Sequence, residues 1–316
     1  MRQELGHSPI FPVTFHLVIQ YSKEVETAIR GGAPVVALES TIISHGLPRP
    51  TNLTVARDVE EIVRSRGAVP ATIAIIRGVI HVGLESAELE LVANEDGIRK
   101  ASIRDLPVVT ARSLSAATTV AATSHLAHQA GISIFATGGL GGVHRGAQES
   151  WDESADLHSL ATIPVMVISA GAKSILDVAA TLERLETLSV PIVGYRTSRF
   201  PGFYLADSGF DVEYRVDSPE EIAAIWRERN SVGVSRSGMV IANPVAKQMD
   251  PKLHAETLEK GMKAASQSSV SGKAVTPFLL DYFHRNTKGE SLRVNIDIIK
   301  ANAALAADIA VALKKN

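Results

Sequence analysis

The residues best suited to chemistry in this 316-residue chain stand directly after short apolar runs. Glu39-Ser40-Thr41 follows the run 35–38, and Ser44-His45-Gly46 comes shortly after it. Thr137-Gly138-Gly139-Leu140-Gly141-Gly142-Val143-His144-Arg145-Gly146 follows 132–136, Ala170-Gly171-Ala172-Lys173 follows 165–169, and Asn243-Pro244 follows 239–242. Such runs read as strands, and in open α/β sheets ligands bind beyond the carboxyl ends of the strands. Lys173 is expected at the start of a helix over 174–188, where the positive end of the helix dipole and an apolar surround both disfavour the ammonium form. A neutral lysine amine is a nucleophile that forms a Schiff base with a sugar aldehyde; the same position also suits a phosphate-binding cation or a solvated side chain. Glu39, directly after a buried strand, is expected to be partly desolvated with a raised pKa. That suits a general acid or base, unless backbone amides or a neighbouring cation satisfy the carboxylate instead.

The loop 138–146 offers backbone N–H groups to a phosphate or carboxylate. It departs from the dinucleotide fingerprint, because His144 stands where the third glycine belongs, and it lacks the Gly-Lys-Ser/Thr end of a P-loop. Thr137, His144 and Arg145 are placed to complete an anion site. A tight turn needing positive φ accounts for the glycines but not for these polar neighbours. Downstream, Glu149-Ser150-Trp151-Asp152-Glu153-Ser154-Ala155-Asp156 gathers carboxylates with hydroxyls. Asp152 and Asp156 are four apart and would share a face of a helical turn. The set suits Mg²⁺ or Mn²⁺ rather than zinc, or else is a solvated acidic turn. His125 and His128, three apart on an Ala-rich segment away from any strand end, read as packing residues.

These residues need a frame. Runs at 35–38, 72–76, 79–82, 108–110, 132–136, 165–169, 192–195 and 239–242 are continuously apolar rather than alternating, as strands covered on both faces are. Helices are expected between them over 53–66, 116–130 and 174–188. In the first, Ala56, Val59, Ile62 and Val63 share a face and Gly67 supplies the C-cap. Another starts at Ser218-Pro219-Glu220-Glu221, with Ser as N-cap and Pro at the first helical position. Beyond the last strand only helices follow, over 251–266, 276–285 and 291–314. The last carries Leu292, Ile296, Ile299, Ala303, Leu305 and Ile309 at helical spacing, so it should pack across the body of the domain. No repeat, linker or charge block divides the chain. The expected architecture is one layered α/β/α domain over 22–316, with a largely parallel central sheet and a helical C-terminal extension, preceded by an N-terminal extension over 1–21.

Composition removes several alternatives. A formal net charge of −2 argues against binding to nucleic acid or an anionic membrane through bulk charge. With 45% hydrophobic and 21% charged residues the chain is globular rather than disordered. Aromatic residues are only 5% and are not interleaved with basic ones, so no stacking platform for a nucleic-acid strand is expected. The absence of cysteine excludes disulfides, thiolate zinc sites, iron–sulfur clusters and Cys nucleophiles, and makes a reducing cytoplasm the simplest home. Residues 113–144 lack Asp, Glu, Lys and Arg, but their Ser, Thr, His and the glycines of 138–142 mark a buried helix, strand and loop rather than a membrane span. The apolar stretch 10–19 is interrupted by Pro12 and His16 and is followed by no small-residue cleavage site, so it does not read as a secretory signal.

Three long motifs, in order, resemble the pseudouridine-5′-phosphate glycosidase family. They are Val36-Ala37-Leu38-Glu39-Ser40-Thr41-Ile42-Ile43-Ser44-His45-Gly46, Ala136-Thr137-Gly138-Gly139-Leu140-Gly141-Gly142-Val143-His144-Arg145-Gly146, and Lys173-Ser174-Ile175-Leu176-Asp177. The likeness continues through Trp151-Asp152, Ser154-Ala155-Asp156-Leu157, Ile241-Ala242-Asn243-Pro244, Ser291-Leu292 and Asn295-Ile296, and covers nearly the whole chain after the first 21 residues. It implies reversible cleavage of the C–C glycosidic bond of pseudouridine 5′-phosphate to uracil and ribose 5-phosphate. It also implies one divalent ion per subunit, typically Mn²⁺, and a homotrimer. It places Lys173 on the nucleophile, Glu39 on the proton donor and Asp152 on the metal ligand. Lys100, Val120, Ser154, Ala155 and Asp156 fall on substrate-binding positions, and Thr137, His144 and Asn295 on the phosphate and ribose end. The chain departs from the family pattern at Ser169-Ala170-Gly171-Ala172 and between Arg99 and Arg104. The chemistry agrees with the resemblance. Uracil is a poor leaving group from carbon, so the oxocarbenium route of ordinary glycosidases is unfavourable, whereas a Lys173 iminium at C1 of ring-opened ribose supplies an electron sink. Two rival readings use the same residues: an imine-forming aldolase on another sugar phosphate, and a non-catalytic phosphosugar-binding protein.

Overall fold

Neighbouring side chains in each central strand point to opposite faces of the sheet, and here both faces are apolar. Val36, Leu38, Ile134, Ala136, Met166, Ile168, Met239 and Ile241 face one layer, while Ala37, Phe135, Val167 and Val240 face the other. This double burial is why the strands appear in the sequence as continuous apolar runs. The computed structural model describes residues 18–234, 236–270 and 272–315. Of the extension expected over 1–21, residues 1–17 lie outside the described residues.

Among the described residues thirteen strands are formed: β1 (Ile19–Tyr21), β2 (Val35–Leu38), β3 (Val69–Ile76), β4 (Val79–Val82), β5 (Arg99–Ala101), β6 (Ala116–Thr118), β7 (Ile134–Ala136), β8 (Val143–His144), β9 (Met166–Ser169), β10 (Leu176–Asp177), β11 (Ile192–Tyr195), β12 (Tyr214–Val216) and β13 (Met239–Ala242). The main sheet runs β1-β4-β3-β2-β7-β9-β13-β11-β12, with β6 pairing β3 and β5. From β3 to β12 along this path every pairing is parallel. β3 is shared between two environments: its first half runs parallel to β2, and its second half pairs antiparallel with β4 and β6. β8 and β10 form a separate two-stranded ribbon.

The helices are α1 (Lys23–Arg30), α2 (Thr51–Ser65), α3 (Ser86–Asn94), α4 (Leu106–Ala111), α5 (Val120–Gln129), α6 (Ala147–Ser150), α7 (Ala155–Thr162), α8 (Val178–Thr187), α9 (Pro219–Ser231), α10 (Pro251–Gln267), α11 (Val275–Asn286) and α12 (Glu290–Lys314). α2, α9 and α12 cover one face of the sheet, and α1, α5, α7 and α8 the other. α12 lies across the domain as its spacing predicts, touching α2, α9, β2, β7 and β9. A third apolar cluster, built from α10, α11, the start of α12 and the segment holding Phe200, Phe203 and Tyr204, caps the carboxyl end of β9 and β13.

Three expected elements differ, each for a local reason. The run 108–110 is part of helix α4 rather than a strand. Pro107 sits in its first turn, where the fixed φ favours a helix, and Leu106 and Val109 face inward while Val108 is 54% exposed. The helix expected over 116–130 starts only at Val120, after Thr119 caps it by accepting from the Ala122 N–H; Ala116–Thr118 is a buried strand. The helix expected over 174–188 starts at Val178, because the Asp177 carboxylate caps the Ala180 N–H at 3.0 Å while Leu176 and Asp177 pair with β8. Lys173 therefore lies in a loop and not at a helix start, so a helix dipole does not account for its reactivity.

The capping cluster gives the fold an acid sensitivity. His254 is 7% exposed and packs against Phe283 and Tyr204. Burial, with a smaller push from the positive charge of Arg145, lowers its pKa from 6.5 to about 4. The unfolded chain thus binds this proton more readily, so stability is full above pH 6.5 and declines as pH falls toward 4. This group alone should make unfolding about 2 kcal/mol easier at pH 5 than at pH 8, and His254→Leu should remove that slope in urea titrations at the two pH values. An identical slope in the variant would contradict the assignment.

Candidate active site

Beyond the carboxyl ends of β2, β7 and β9 lies a cavity of about 320 Å³. β2 delivers Glu39 to it, the loop after β7 delivers Gly138, Gly139 and Gly141, and the loop after β9 delivers Lys173. The two loops are zipped together as a continuation of the parallel pairing. Thr137 N–H donates to Ile168 O, Ala170 N–H to Gly138 O, Leu140 N–H to Gly171 O, and Lys173 N–H to Leu140 O, at 2.9 to 3.0 Å. The half-buried Lys173 amine faces the cavity and donates to the Gly139 carbonyl at 2.6 Å.

Glu39 is 8% exposed and also lines the cavity. Burial raises its carboxyl pKa, against an opposing pull from the Lys173 charge and from the Thr137 hydroxyl, which donates to it. The strand end is fixed from behind. Ser40 Oγ donates to Ile73 O at 2.6 Å and accepts from Thr118 N–H at 2.9 Å, and Thr41 Oγ1 donates to Thr118 O at 2.7 Å. Thr137 is fully buried and stands behind Glu39, so among the expected ligand contacts it acts on the carboxyl group.

The remaining expected residues Lys100, Val120, His144, Asp152, Ser154, Ala155, Asp156 and Asn295 all line the same cavity. Their grouping is not the expected one. Asp152 precedes α7 and follows Trp151, whose φ of +57° turns the chain, so Asp152 and Asp156 do not share a helical turn. Asp156 uses both carboxylate oxygens structurally, accepting from Ala121 N–H at 3.0 Å and Gly141 N–H at 2.8 Å. The Gly-rich loop is also less free to cradle an anion than its sequence suggests. The N–H groups of Leu140, Gly141, Val143 and His144 are held by Gly171 O, Asp156, Thr181 Oγ1 and Asp152 O. Its glycines serve close packing instead: a Cβ on Gly141 would stand 2.2 Å from Ser154 Oγ, and one on Gly142 2.3 Å from Thr181 Oγ1.

The family model described as indigoidine synthase A like protein matches residues 24–312. The chain belongs to this family. It is 58% identical over 301 residues to a Salinispora tropica protein named pseudouridine-5′-phosphate glycosidase, covering 95% of this chain and 92% of that one. It is 55% identical over 294 residues to a Saccharopolyspora erythraea protein of the same name, covering 92% and 97%. Among solved structures, the prealnumycin C-glycosynthase AlnA in complex with ribulose 5-phosphate superposes with a TM-score of 0.86 at 33% identity, over 94% of this chain and 97% of that one. An indigoidine synthase A-like protein from Thermotoga maritima also gives 0.86, at 36% identity, over 99% and 100% of the two chains.

Asp152 is the residue that the family resemblance implies as a metal ligand. Among the described residues no group of three or more His, Asp or Glu side chains converges as a metal cage. Asp152 has His144 beside it, with Nδ1 3.8 Å from Oδ2. Burial, with the charges of Lys100 and Lys173, lowers the His144 pKa and so favours the neutral imidazole, against the opposing pull of Asp152. One carboxylate at a cavity wall suits a hard cation that keeps most of its waters, as Mg²⁺ and Mn²⁺ do, and does not suit a fully protein-caged ion.

Sequence reasoning assigned no role to His45, Thr119 or Phe203, which also line the cavity. His45 sits in the π-turn Ile42–Gly46, and burial together with Lys100 lowers its pKa. Its place soon after a strand end was the available signal. Phe203 carried none, because its arrival depends on how the segment after β11 folds back.

Proposed function

We propose that this protein catalyses the reversible cleavage of pseudouridine 5′-phosphate to uracil and ribose 5-phosphate. The observation that carries this reading is the Lys173 amine facing a strand-end cavity beside the buried carboxyl group of Glu39, in a chain 58% identical to a named pseudouridine-5′-phosphate glycosidase. In the joining direction, the amine adds to the C1 aldehyde carbon of ring-opened ribose 5-phosphate, and loss of water leaves an iminium. The electron pair of the uracil C5=C6 bond forms the new bond to C1, and the C5 proton is passed to a base. The sugar hydroxyl then closes on C1, its proton leaving with the departing amine. Cleavage is the reverse, with water consumed in releasing the sugar from Lys173.

Glu39 is the group for proton transfer at uracil C5 or at the ring oxygen, since burial raises its pKa and so favours the protonated form relative to an exposed carboxylate. Lys100 would hold the phosphate as a point charge, with His144 and Asn295 toward the phosphate and ribose. Val120, at the first turn of α5, and Ser154 and Ala155 would seat the substrate, while Asp156 braces α5 against the Gly-rich loop. Asp152 would hold Mn²⁺, which when bound supplies positive charge to orient the substrate directly or through water. Asp152→Asn should weaken Mn²⁺ binding at least about 10-fold in an electron paramagnetic resonance titration of the protein alone. Unchanged affinity would remove Asp152 from the metal role. A homotrimer working in the cytoplasm belongs to the same reading; among the described residues no helix is long and apolar enough to cross a membrane.

The test is an assay of uracil with ribose 5-phosphate, read by loss of uracil ultraviolet absorption. Consumption of uracil that needs both substrates is expected. Turnover of a sugar phosphate with no dependence on uracil would favour an aldolase, and binding without turnover a phosphosugar sensor.

A further inference from the structure

A non-glycine residue seldom adopts positive φ, and a bulky one does so only where its surroundings over-determine it. Phe203 has φ +63° and is 2% exposed, with its ring on the cavity wall. Its backbone is pinned to the loop that carries Lys173. Phe203 N–H donates to Ala170 O at 2.9 Å, and Gly202 bridges Gly171. The approach is so close that a Cβ on Gly171 would stand 1.8 Å from the Pro201 carbonyl oxygen. On the other side, the ring fills the space that side chains at 138 and 139 would need. A Cβ on Gly139 would stand 2.6 Å and 3.0 Å from two ring carbons, and one on Gly138 3.5 Å from the nearest. Tyr204 backs the ring edge-on at 4.7 Å between centroids.

The peptides from 138 to 140 are thus caught between the Phe203 ring and the hydrogen bonds from Ala170 N–H and to Gly171 O. What this clamp leaves facing the cavity is the Gly139 carbonyl, the acceptor of the Lys173 amine. An amine that donates one N–H to a fixed carbonyl cannot rotate freely about its last carbon–nitrogen bond, so its lone pair is confined to the two staggered directions that the hydrogen bond leaves.

We propose that Phe203 is a positioning residue for the reaction: its ring wedges the Gly138-Gly139 turn so that the Gly139 carbonyl aims the Lys173 amine at the sugar carbonyl carbon. This rests on the reading of Lys173 as the nucleophile. It explains why a strained aromatic residue stands where a glycine would relieve the backbone, and why two consecutive residues opposite it lack side chains.

The test is borohydride trapping with ribose 5-phosphate under single-turnover conditions, read as the rate at which the Lys173 peptide gains the reduced sugar, alongside KM and melting temperature. Phe203→Ala should slow trapping by about 30- to 100-fold, as a displacement near 1 Å would, with KM changed by no more than about 3-fold. Phe203→Leu, the variant that best preserves folding, should slow it by about 10-fold. Gly139→Ala should slow trapping in the parent, where the methyl meets the ring, and have a clearly smaller effect when added to Phe203→Ala, where there is room. A purely structural Phe203 would lower the melting temperature of both variants and leave the trapping rate at the parental value, which would overturn the proposal. Failure of the parent enzyme to trap any sugar would instead remove the Lys173 reading, and this proposal with it.

Discussion

Lys173→Ala should lower turnover of pseudouridine 5′-phosphate by at least about 10⁴-fold, because the covalent route is lost and Lys100, which also lines the cavity, is taken up with the phosphate in this reading. The fold should survive. The side chain is only half-buried, its amine donates to the Gly139 carbonyl at 2.6 Å, and that carbonyl faces a cavity where water can replace the donor. Lys173→Arg separates charge from nucleophilicity. A guanidinium can keep a positive charge and a hydrogen bond to Gly139 but forms no imine, so it should be as inactive as Ala. Steady-state kinetics with circular dichroism checks both. Activity of the Arg variant within about 10-fold of the parent would mean that Lys173 serves as a cation, the anion-binding alternative its sequence position left open.

Glu39→Gln should lower turnover by about 10²- to 10⁴-fold, the usual contribution of a positioned proton-transfer group. The same substitution should make the protein more stable at neutral and alkaline pH. A buried acid whose pKa is raised binds its proton more tightly in the folded chain than in the unfolded one, where the value is near 4.5. Stability therefore falls as pH rises from that value through the raised one, and the full cost of the buried anion is present above the window. Gln carries no charge and still accepts the Thr137 hydroxyl, so the variant lacks this term. Melting temperatures should diverge in favour of Glu39→Gln as pH rises, and converge near pH 4. A variant less stable than the parent at pH 8 would show that the charge of Glu39 is well compensated, against the raised pKa.

Much of the frame was legible because it depends on burial pattern alone. The runs at 35–38, 79–82, 192–195 and 239–242 coincide with β2, β4, β11 and β13. The expected helix over 251–266 and its successors match α10, α11 and α12 to within a residue or so at their starts. The misreadings came where local signals compete. Val108, Val109 and Thr110 are β-branched, yet Pro107 and the one-sided burial of the segment make it a helix. Strands β1, β5, β6 and β12 have three residues each, too few for any period to emerge, and exist because a longer neighbour is there to pair with.

The site divides in the same way. Glu39 and Lys173 were findable because strand ends are where α/β sheets present chemistry. The helix dipole does not act on Lys173 as its position in the sequence suggests, since Asp177 moves the helix start away from it. Asp156 and the glycines read as ligand contacts from sequence, but the Asp156 carboxylate is held by the N–H groups of Ala121, in the first turn of α5, and of Gly141, which no local sequence signal announces. Phe203 became visible only when its ring was placed against Gly139.

The most direct measurement is a peptide map of the enzyme quenched with borohydride during turnover with ribose 5-phosphate. One reduced pentose phosphate should be attached to the peptide containing Lys173, and nothing should be attached when the sugar is omitted. An adduct confined to another lysine, or none at all from enzyme that is consuming uracil, would contradict the account.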